Sequence, residues 1–156
     1  MADDRPQASL TPLLVDSLYS EAMELADEAR GYFEKIGQWD RKRLEPMDRV
    51  VFSCESLKVT TRIMHVISWL LVRKAVAAGE MSEAEADHPD RKLGRASISD
   101  ERTDPRLSAL PSFALTLIRR SQDLYERVHR LEEQMHEESA AASPARQLLD
   151  RLERAF

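Results

Sequence analysis

The sequence has few of the residues that break or cross-link a chain. Only four glycines and seven prolines occur among 156 residues, which leaves room for long uninterrupted helices. A strand-rich architecture needs more turns than so few glycines and prolines can supply. The single cysteine, Cys54, excludes a disulfide within the chain and predicts a reducing compartment.

Positive charge and long apolar runs are also scarce. The net charge is -5, whereas a protein that binds nucleic acid usually presents a basic face to the phosphates. The one compact basic run, Arg41-Lys42-Arg43, is interpreted as a solvated segment between helices. The most apolar stretch, 59–72, is interrupted by two basic side chains and is too short to span a bilayer. The polar N-terminus lacks the order of a signal peptide, so we expect a cytoplasmic protein that binds neither nucleic acid nor membranes.

A first helix is predicted from an apolar stripe whose members lie three or four residues apart. Thr11 and Pro12 resemble a helix start, with the hydroxyl as N-cap and proline at the first helical position. The ten residues before them are expected to form a flexible lead-in. Gly37 resembles a C-terminal glycine cap, so residues 38–45 are expected to form a loop. The members of the stripe are Leu14, Leu18, Ala22, Leu25, Ala29, Tyr32 and Ile36.

A second helix is predicted over residues 46–78, and it carries two apolar faces on nearly opposite sides. Pro46 begins it and Gly79 ends it. One face consists of Val50, Cys54, Leu57, Thr61, Met64, Ser68, Leu71 and Ala75. The other consists of Phe52, Val59, Ile63, Val66 and Leu70. The polar band between them consists of Glu55, Lys58, Arg62, His65 and Arg73.

One of these two faces has no partner within a three-helix bundle, and an uncovered stripe of that length is large for a monomer. We therefore expect a homodimer with a two-fold interface on the second helix, on one face or the other. If the face with Val50 and Leu57 packs on the other helices, the candidates for the interface are Phe52, Val59, Ile63, Val66 and Leu70.

A polar, acidic connection precedes the third helix. Ser82 and Glu85 have the spacing of a capping box, which predicts a short helical turn. Connections as long as residues 79–110 are uncommon in compact domains and tend to be functional or disordered. Pro111 and Ser112 begin the third helix. Its apolar stripe consists of Ala114, Leu117, Ser121, Leu124, Val128, Leu131 and Met135, broadened by Phe113, Ile118 and Tyr125.

Three long helices with such stripes predict an all-α fold, a bundle of three long antiparallel helices. The bundle domain is expected to cover residues 11–137, and residues 138–156 are expected to form a flexible C-terminal tail. The tail contains a brief amphipathic segment, a type of helix that commonly anchors in a partner's groove. Its candidate docking residues are Leu148, Leu149, Leu152 and Phe156. The alternative is that this segment packs on its own bundle.

No pattern of catalytic or metal-binding residues stands out. The four histidines are His65, His88, His129 and His136, and their spacings match no metal template. Cys54 lies on an apolar helix face, where a free cysteine is commonly a small core residue. Neither a Gly-x-Ser-x-Gly elbow nor a phosphate-binding glycine loop occurs. We therefore expect no enzyme, no cofactor and no metal.

Three residues of the second helix have two interpretations each. For Thr61 and Ser68 we favour hydroxyls bonded back to the preceding turn or on a partly wet surface, because such back-bonding is common. The alternative is that these small residues let another helix approach closely. For Trp69 we favour a partly buried core position over an interface position.

The segment ESLKVTTRIMHVISWLL, residues 55–71, followed by Gly79-Glu80-Met81, resembles the central helix of the RcdA family, the regulators of CtrA degradation in alphaproteobacteria. The resemblance extends to the overall plan of three helices, a polar connection before the third, and a loose tail. It implies a homodimeric three-helix bundle without an active site. It further implies an adaptor that, with a response regulator, helps deliver cell-cycle substrates to the ClpXP protease.

Two functions are therefore expected. The first is a cytoplasmic dimeric adaptor that tethers substrate proteins to ClpXP and so raises their effective concentration at the protease. The alternative is a non-catalytic dimeric scaffold that binds an unrelated regulator.

Overall fold

The computed structural model describes residues 5–94, 104–141 and 143–155, and no strand occurs within these ranges. The helices in chain order are α1 (Arg5–Gly31), α2 (Gly37–Lys42), α3 (Pro46–Ala77), α4 (Glu83–Ala86), α5 (Ser112–Ala141) and α6 (Pro144–Ala155). Helices α1, α3 and α5 pack on one another. The prediction of an all-α helical bundle is confirmed. No helix of the described ranges is long and apolar enough to cross a membrane.

Helix α1 runs antiparallel to α3. Near one end of the pair, the Lys74 ammonium lies 3.2 Å from the Asp16 carboxylate. Near the other end, the rings of Tyr32 and Phe52 have centroids 6.4 Å apart. Helix α2, which continues α1 through one π-helical turn, is joined to α3 by residues 43–45, a length typical of links between antiparallel neighbours.

Helices α3 and α5 run parallel, in contrast to the predicted arrangement in which all three are antiparallel. The ring of Tyr32 contacts Phe113 near the start of α5, at 4.8 Å between centroids, as well as Phe52 near the start of α3. Farther along both helices, Arg62 Nη1 donates a hydrogen bond of 3.2 Å to Ser121 Oγ. Two helices that follow each other in the chain can run parallel only if the chain returns, after the first helix ends, to the end of the bundle where that helix began.

The long connection before α5 is therefore the return path. Helix α3 has 32 residues, which corresponds to a length of about 48 Å. Three leucines of the connection, Leu93, Leu107 and Leu110, are buried in the core. The Leu93 amide donates a hydrogen bond of 2.9 Å to Glu132, and its carbonyl accepts one of 3.2 Å from Tyr125. These contacts fasten the described parts of the connection to the bundle.

The predicted boundaries of α3 and the predicted capping box of α4 are confirmed. Pro46 begins α3, and Gly79 follows it with a positive φ of 75°, which glycine adopts at little cost. The capping box at Ser82 and Glu85 is present at the start of α4. The third helix begins at Ser112, as predicted, but continues to Ala141.

The predicted ends of the first helix are wrong. Helix α1 begins at Arg5, and Pro12 lies inside it rather than at its start. Gly37 is helical and does not end the helical run, because the chain continues through one π-helical turn, Tyr32–Ile36, into α2. The Tyr32 hydroxyl donates a hydrogen bond of 2.7 Å to Asp40 across this turn. Burial raises the pKa of that hydroxyl, and the bond to Asp40 raises it further, so it stays a donor.

Two glycines of this long helix are expected to respond to alanine in opposite directions. A Cβ at Gly37 would lie 2.8 Å from the Tyr32 carbonyl oxygen, a contact that only a backbone shift can relieve. We expect Gly37→Ala to lower the free energy of unfolding by about 1–2 kcal/mol, a typical cost of overpacking. A Cβ at Gly31 meets nothing within 4 Å. Gly31→Ala is expected to raise the free energy of unfolding by up to about 1 kcal/mol, because alanine is the better helix former.

Urea denaturation followed by circular dichroism measures both changes. If Gly37→Ala is as stable as Gly31→Ala, the close approach at the π-helical turn does not exist.

Candidate protein-binding surfaces

The five residues predicted for the dimer interface lie in the core of the monomer. Their exposed fractions run from zero for three of them to 3% at most: Phe52, Val59, Ile63, Val66 and Leu70. Helices α1 and α5 of the same chain cover this face. The choice of this face for a dimer is therefore corrected, since its side chains have no surface left for a second subunit.

The opposite face of α3 is the uncovered one. We call it the α3 stripe and define it by the eight residues Val50, Cys54, Leu57, Thr61, Met64, Ser68, Leu71 and Ala75. Its large members have exposed fractions between 47% and 67%. Cys54, which was predicted to be a core residue, is exposed as well. An apolar stripe this long on a monomer marks an interaction surface.

Two charged residues of α3 are buried. Glu55 and Arg62 belong to the predicted polar band, yet they are only 5% and 2% exposed. Glu55 accepts a hydrogen bond of 3.1 Å from Lys58, and Arg62 donates to Ser121. Charged residues are almost never fully buried unless they are paired. The partner of Arg62 lies on another helix, and pairing of that kind is invisible in one sequence. The inner face of α3 is thus wider than its apolar residues suggested.

Thr61 and Trp69 of α3 had two interpretations each, and the structure agrees with the favoured one for both. Thr61 Oγ1 donates a hydrogen bond of 2.9 Å to the Leu57 carbonyl, one turn earlier, so its hydroxyl is satisfied within the helix. Trp69 is 6% exposed and belongs to the core, which confirms the core interpretation. The Arg73 guanidinium lies 5.8 Å from the centre of the Trp69 ring.

Helix α6 provides a second uncovered apolar face. It is joined to α5 by residues 142–143, and none of its residues is buried. Three of the predicted docking residues, Leu148, Leu149 and Leu152, are between 55% and 59% exposed. They lie on one side of the helix because their spacing follows its period. The fourth, Phe156, lies outside the described residues.

A groove of about 1300 Å³ lies between the start of α1 and the C-terminal halves of α3 and α5. Basic, acidic and apolar side chains line it, and some of the charged ones are paired with each other. Arg73 lies 3.3 Å from Glu83, and His129 lies 3.7 Å from Glu133. Across residues 5–94, 104–141 and 143–155, no three His, Cys, Asp or Glu side chains are grouped in a way that could hold a metal ion.

Charged residues on the outer sides of α1 and α5 tie the two helices together. Arg127 donates two hydrogen bonds to the Glu21 carboxylate, one of them 2.9 Å long. These bonds hold the pKa of Glu21 below its usual range, with the positive charges of Arg127 and Arg120 adding to the effect. Arg120 also pairs with Glu28. These ion pairs serve the bundle, whereas the apolar side chains of the α3 stripe and of α6 are left uncovered.

Comparison with known proteins agrees with this architecture. Residues 7–156 match the family described as "Protein of unknown function (DUF1465)", which is the RcdA family. The fold resembles the crystal structure of RcdA from Caulobacter crescentus CB15, with a TM-score of 0.66 and 34% sequence identity. That match covers 84% of this chain and 95% of the RcdA chain. No curated protein matches the sequence significantly. The chain therefore belongs to the RcdA family.

Proposed function

We propose that this protein is a non-catalytic adaptor that helps deliver cell-cycle regulatory substrates to the ClpXP protease, together with a response regulator. Membership of the RcdA family is the observation that carries the proposal. An adaptor works by tethering, which raises the local substrate concentration and needs binding surfaces rather than reactive side chains. The role places the protein in the cytoplasm with its protease.

The uncovered apolar faces of the α3 stripe and of α6 support this role. They lie on separate elements, so one chain can hold two partners at once. The α3 stripe follows the three-four spacing of a coiled-coil seam, and we assign it to a homodimer, because a seam of this kind is completed by another helix. Helix α6 is assigned to docking on the protease or on a substrate, since short amphipathic helices bind in apolar grooves.

Reconstituted degradation tests the adaptor role. A candidate cell-cycle substrate is incubated with ClpXP and its priming regulator, with and without the full chain, and the loss of substrate is followed over time. The full chain is expected to accelerate degradation. A chain that ends at Ser139 is expected to accelerate it less or not at all, because it lacks α6.

A single substitution in α6 sharpens the test. Leu152→Asp places a charge on the apolar side and is expected to reduce the acceleration roughly tenfold or more, since one buried leucine contributes about 1.5–3 kcal/mol. Gln147→Asp introduces the same charge on the opposite side of the helix and is the matched control. It is expected to retain most of the activity.

The same assay distinguishes the adaptor role from the alternative function, a dimeric scaffold. If the full chain gives no acceleration while RcdA from Caulobacter crescentus does so in parallel, the adaptor role is rejected and a dimeric scaffold for an unrelated regulator remains. If Leu152→Asp and Gln147→Asp behave alike, the assignment of α6 to docking is wrong.

A further inference from the structure

We infer that the groove between the start of α1 and the C-terminal halves of α3 and α5 binds a peptide segment of a partner protein. Arg73 holds a carboxylate of that segment, and a basic group of the segment lies against α5. The inference goes beyond the proposed function, because a site of this kind serves an adaptor and a scaffold alike. Three features of the groove carry it: a buried arginine, the division of charge between the walls, and the size.

Arg73 is a buried cation whose hydrogen bonds are incomplete. Its side chain is only 9% exposed and lines the groove. Among the described residues only Glu83 accepts from it, over 3.3 Å from Nη1, whereas Nε is buried and has no acceptor. A buried donor without an acceptor costs free energy, so an acceptor that reaches this edge is bound favourably. Because Nε is covered, a ligand reaches it only after a side chain at this edge shifts.

The remaining donors of this guanidinium suit a carboxylate. Nε and Nη2 lie on the same edge of the planar group, and such an edge pairs with both oxygens of a carboxylate. Glu83 is 69% exposed, and ion pairs at exposed positions are weak, so this pair leaves Arg73 available. The buried Trp69 has its ring centre 5.8 Å from the guanidinium and keeps the cation at the groove.

The two walls of the groove differ in charge. The wall formed by α5 has acidic side chains and neither lysine nor arginine: Glu132, Glu133, Glu137 and Glu138. The wall formed by α3, α4 and the return connection has more basic than acidic side chains: Arg73, Lys74, Arg91 and Lys92 against Glu83 and Asp87. A purely acidic segment is repelled by α5, whereas a segment with a carboxylate and a basic group complements both walls.

The size of the groove fits a length of chain. Its volume is about 1300 Å³, whereas sites for small molecules measure roughly 300–1000 Å³. Lys74, in the last turn of α3, lies 3.2 Å from Asp16, so the first turns of α1 pass beyond the end of α3. The bundle therefore lacks its third helix at this end, and the space is open to a peptide.

The Nε–H group of Arg73 reports binding directly in nuclear magnetic resonance spectra of the isotope-labelled full chain. Its signal is assigned by its loss in Arg73→Lys. The probe is the blocked tripeptide acetyl-Glu-Leu-Lys-amide, and the matched probe has Gln in place of Glu, which keeps the size and removes the charge. We expect the Glu probe to shift this signal and the Gln probe to bind about tenfold more weakly, because hydrogen bonds to charged groups are the stronger ones.

Trp69 gives a second readout that needs no change within the groove. Trp39, the other of the two tryptophans, is 69% exposed on α2, so Trp39→Phe leaves the fold intact. The fluorescence of this variant comes from Trp69 and is expected to change with the Glu probe at the same concentrations as the Arg73 signal. This comparison does not depend on whether Arg73→Lys folds.

The acidic wall is tested by the double variant Glu137→Gln with Glu138→Gln. Both positions are exposed, and the variant is expected to bind the Glu probe about twofold to fivefold more weakly, the range of exposed ion pairs. Glu153→Gln on α6 is the matched control and is expected to bind it as the unmodified chain does.

Each part of the inference has an outcome that overturns it. If neither probe changes the Arg73 signal, or if both bind equally well, Arg73 does not hold a carboxylate. If acetate alone binds as tightly as the Glu probe, the site takes any small carboxylate and the peptide is wrong. If the double variant binds the Glu probe as tightly as Glu153→Gln, α5 does not recognise the basic group. None of these results depends on the degradation assay.

Discussion

A chain carrying Val66→Asp is expected to lose its cooperative unfolding transition. Val66 is fully buried, and removing it from the core forfeits about 1.5–3 kcal/mol of burial. The new carboxylate has to be buried without a partner or protonated, which costs several kcal/mol more. The total, roughly 5 kcal/mol or more, approaches the entire stability of a typical domain.

Circular dichroism at 222 nm during heating measures this loss. The matched control is Met64→Asp, which places the same charge two residues away on the uncovered side of α3, where Met64 is 60% exposed. If Val66→Asp unfolds cooperatively at a temperature within a few degrees of that of the unmodified chain, Val66 does not lie in the core.

The second large effect is expected on association. Met64→Asp should leave the monomer folded, since exposed substitutions usually change stability by about 0.5 kcal/mol or less. In the proposed dimer each Asp lies on the α3 stripe within the interface, and both charges lose water. At about 2 kcal/mol or more for each unpaired charge, the dissociation constant is expected to rise by about a thousandfold.

Sedimentation velocity over a range of concentrations measures this change. Met64→Leu keeps the apolar contact at similar volume and is expected to retain the dimer. If Met64→Asp associates as tightly as Met64→Leu, the α3 stripe is not the interface. The two variants thus test the two faces of α3. Val66→Asp on the inner face is expected to change folding, and Met64→Asp on the outer face is expected to change association.

Much of the local structure could be predicted because its signals are local. Pro46, Gly79 and the Ser82 capping box act on the backbone within one turn, so their effect does not depend on the rest of the chain. Gly37 shows the limit of that reasoning. The helix continues past it because Tyr32 bonds to Asp40, and Arg41 Nε donates a hydrogen bond of 2.9 Å to Ser53 on α3. A contact between helices outweighs the intrinsic tendency of glycine to end one.

The sequence was sufficient to predict the exposed leucines of α6, but not which apolar face of α3 is exposed. The leucines of α6 could be identified from their period, and they are exposed. The dimer candidates lie on the buried side of α3, and the sequence could not show this, because two apolar stripes on one helix give periodicity no means of ranking them.

The amphipathic stripes made three long helices and an all-α bundle unavoidable, because each stripe has to be covered and no strand pattern competes. The apolar periodicity within each helix does not determine two features of the fold. Which face of α3 turns inward depends on α1 and α5 together, and on partners for Glu55 and Arg62 that lie in other parts of the chain or one turn away. The parallel course of α3 and α5 depends on a return path held by Leu93, Leu107 and Leu110. The packing of α1 and α5 on α3, the bond of Arg62 to Ser121 and the burial of the three leucines join residues distant in sequence, so their contribution to stability cannot be derived from one helix alone.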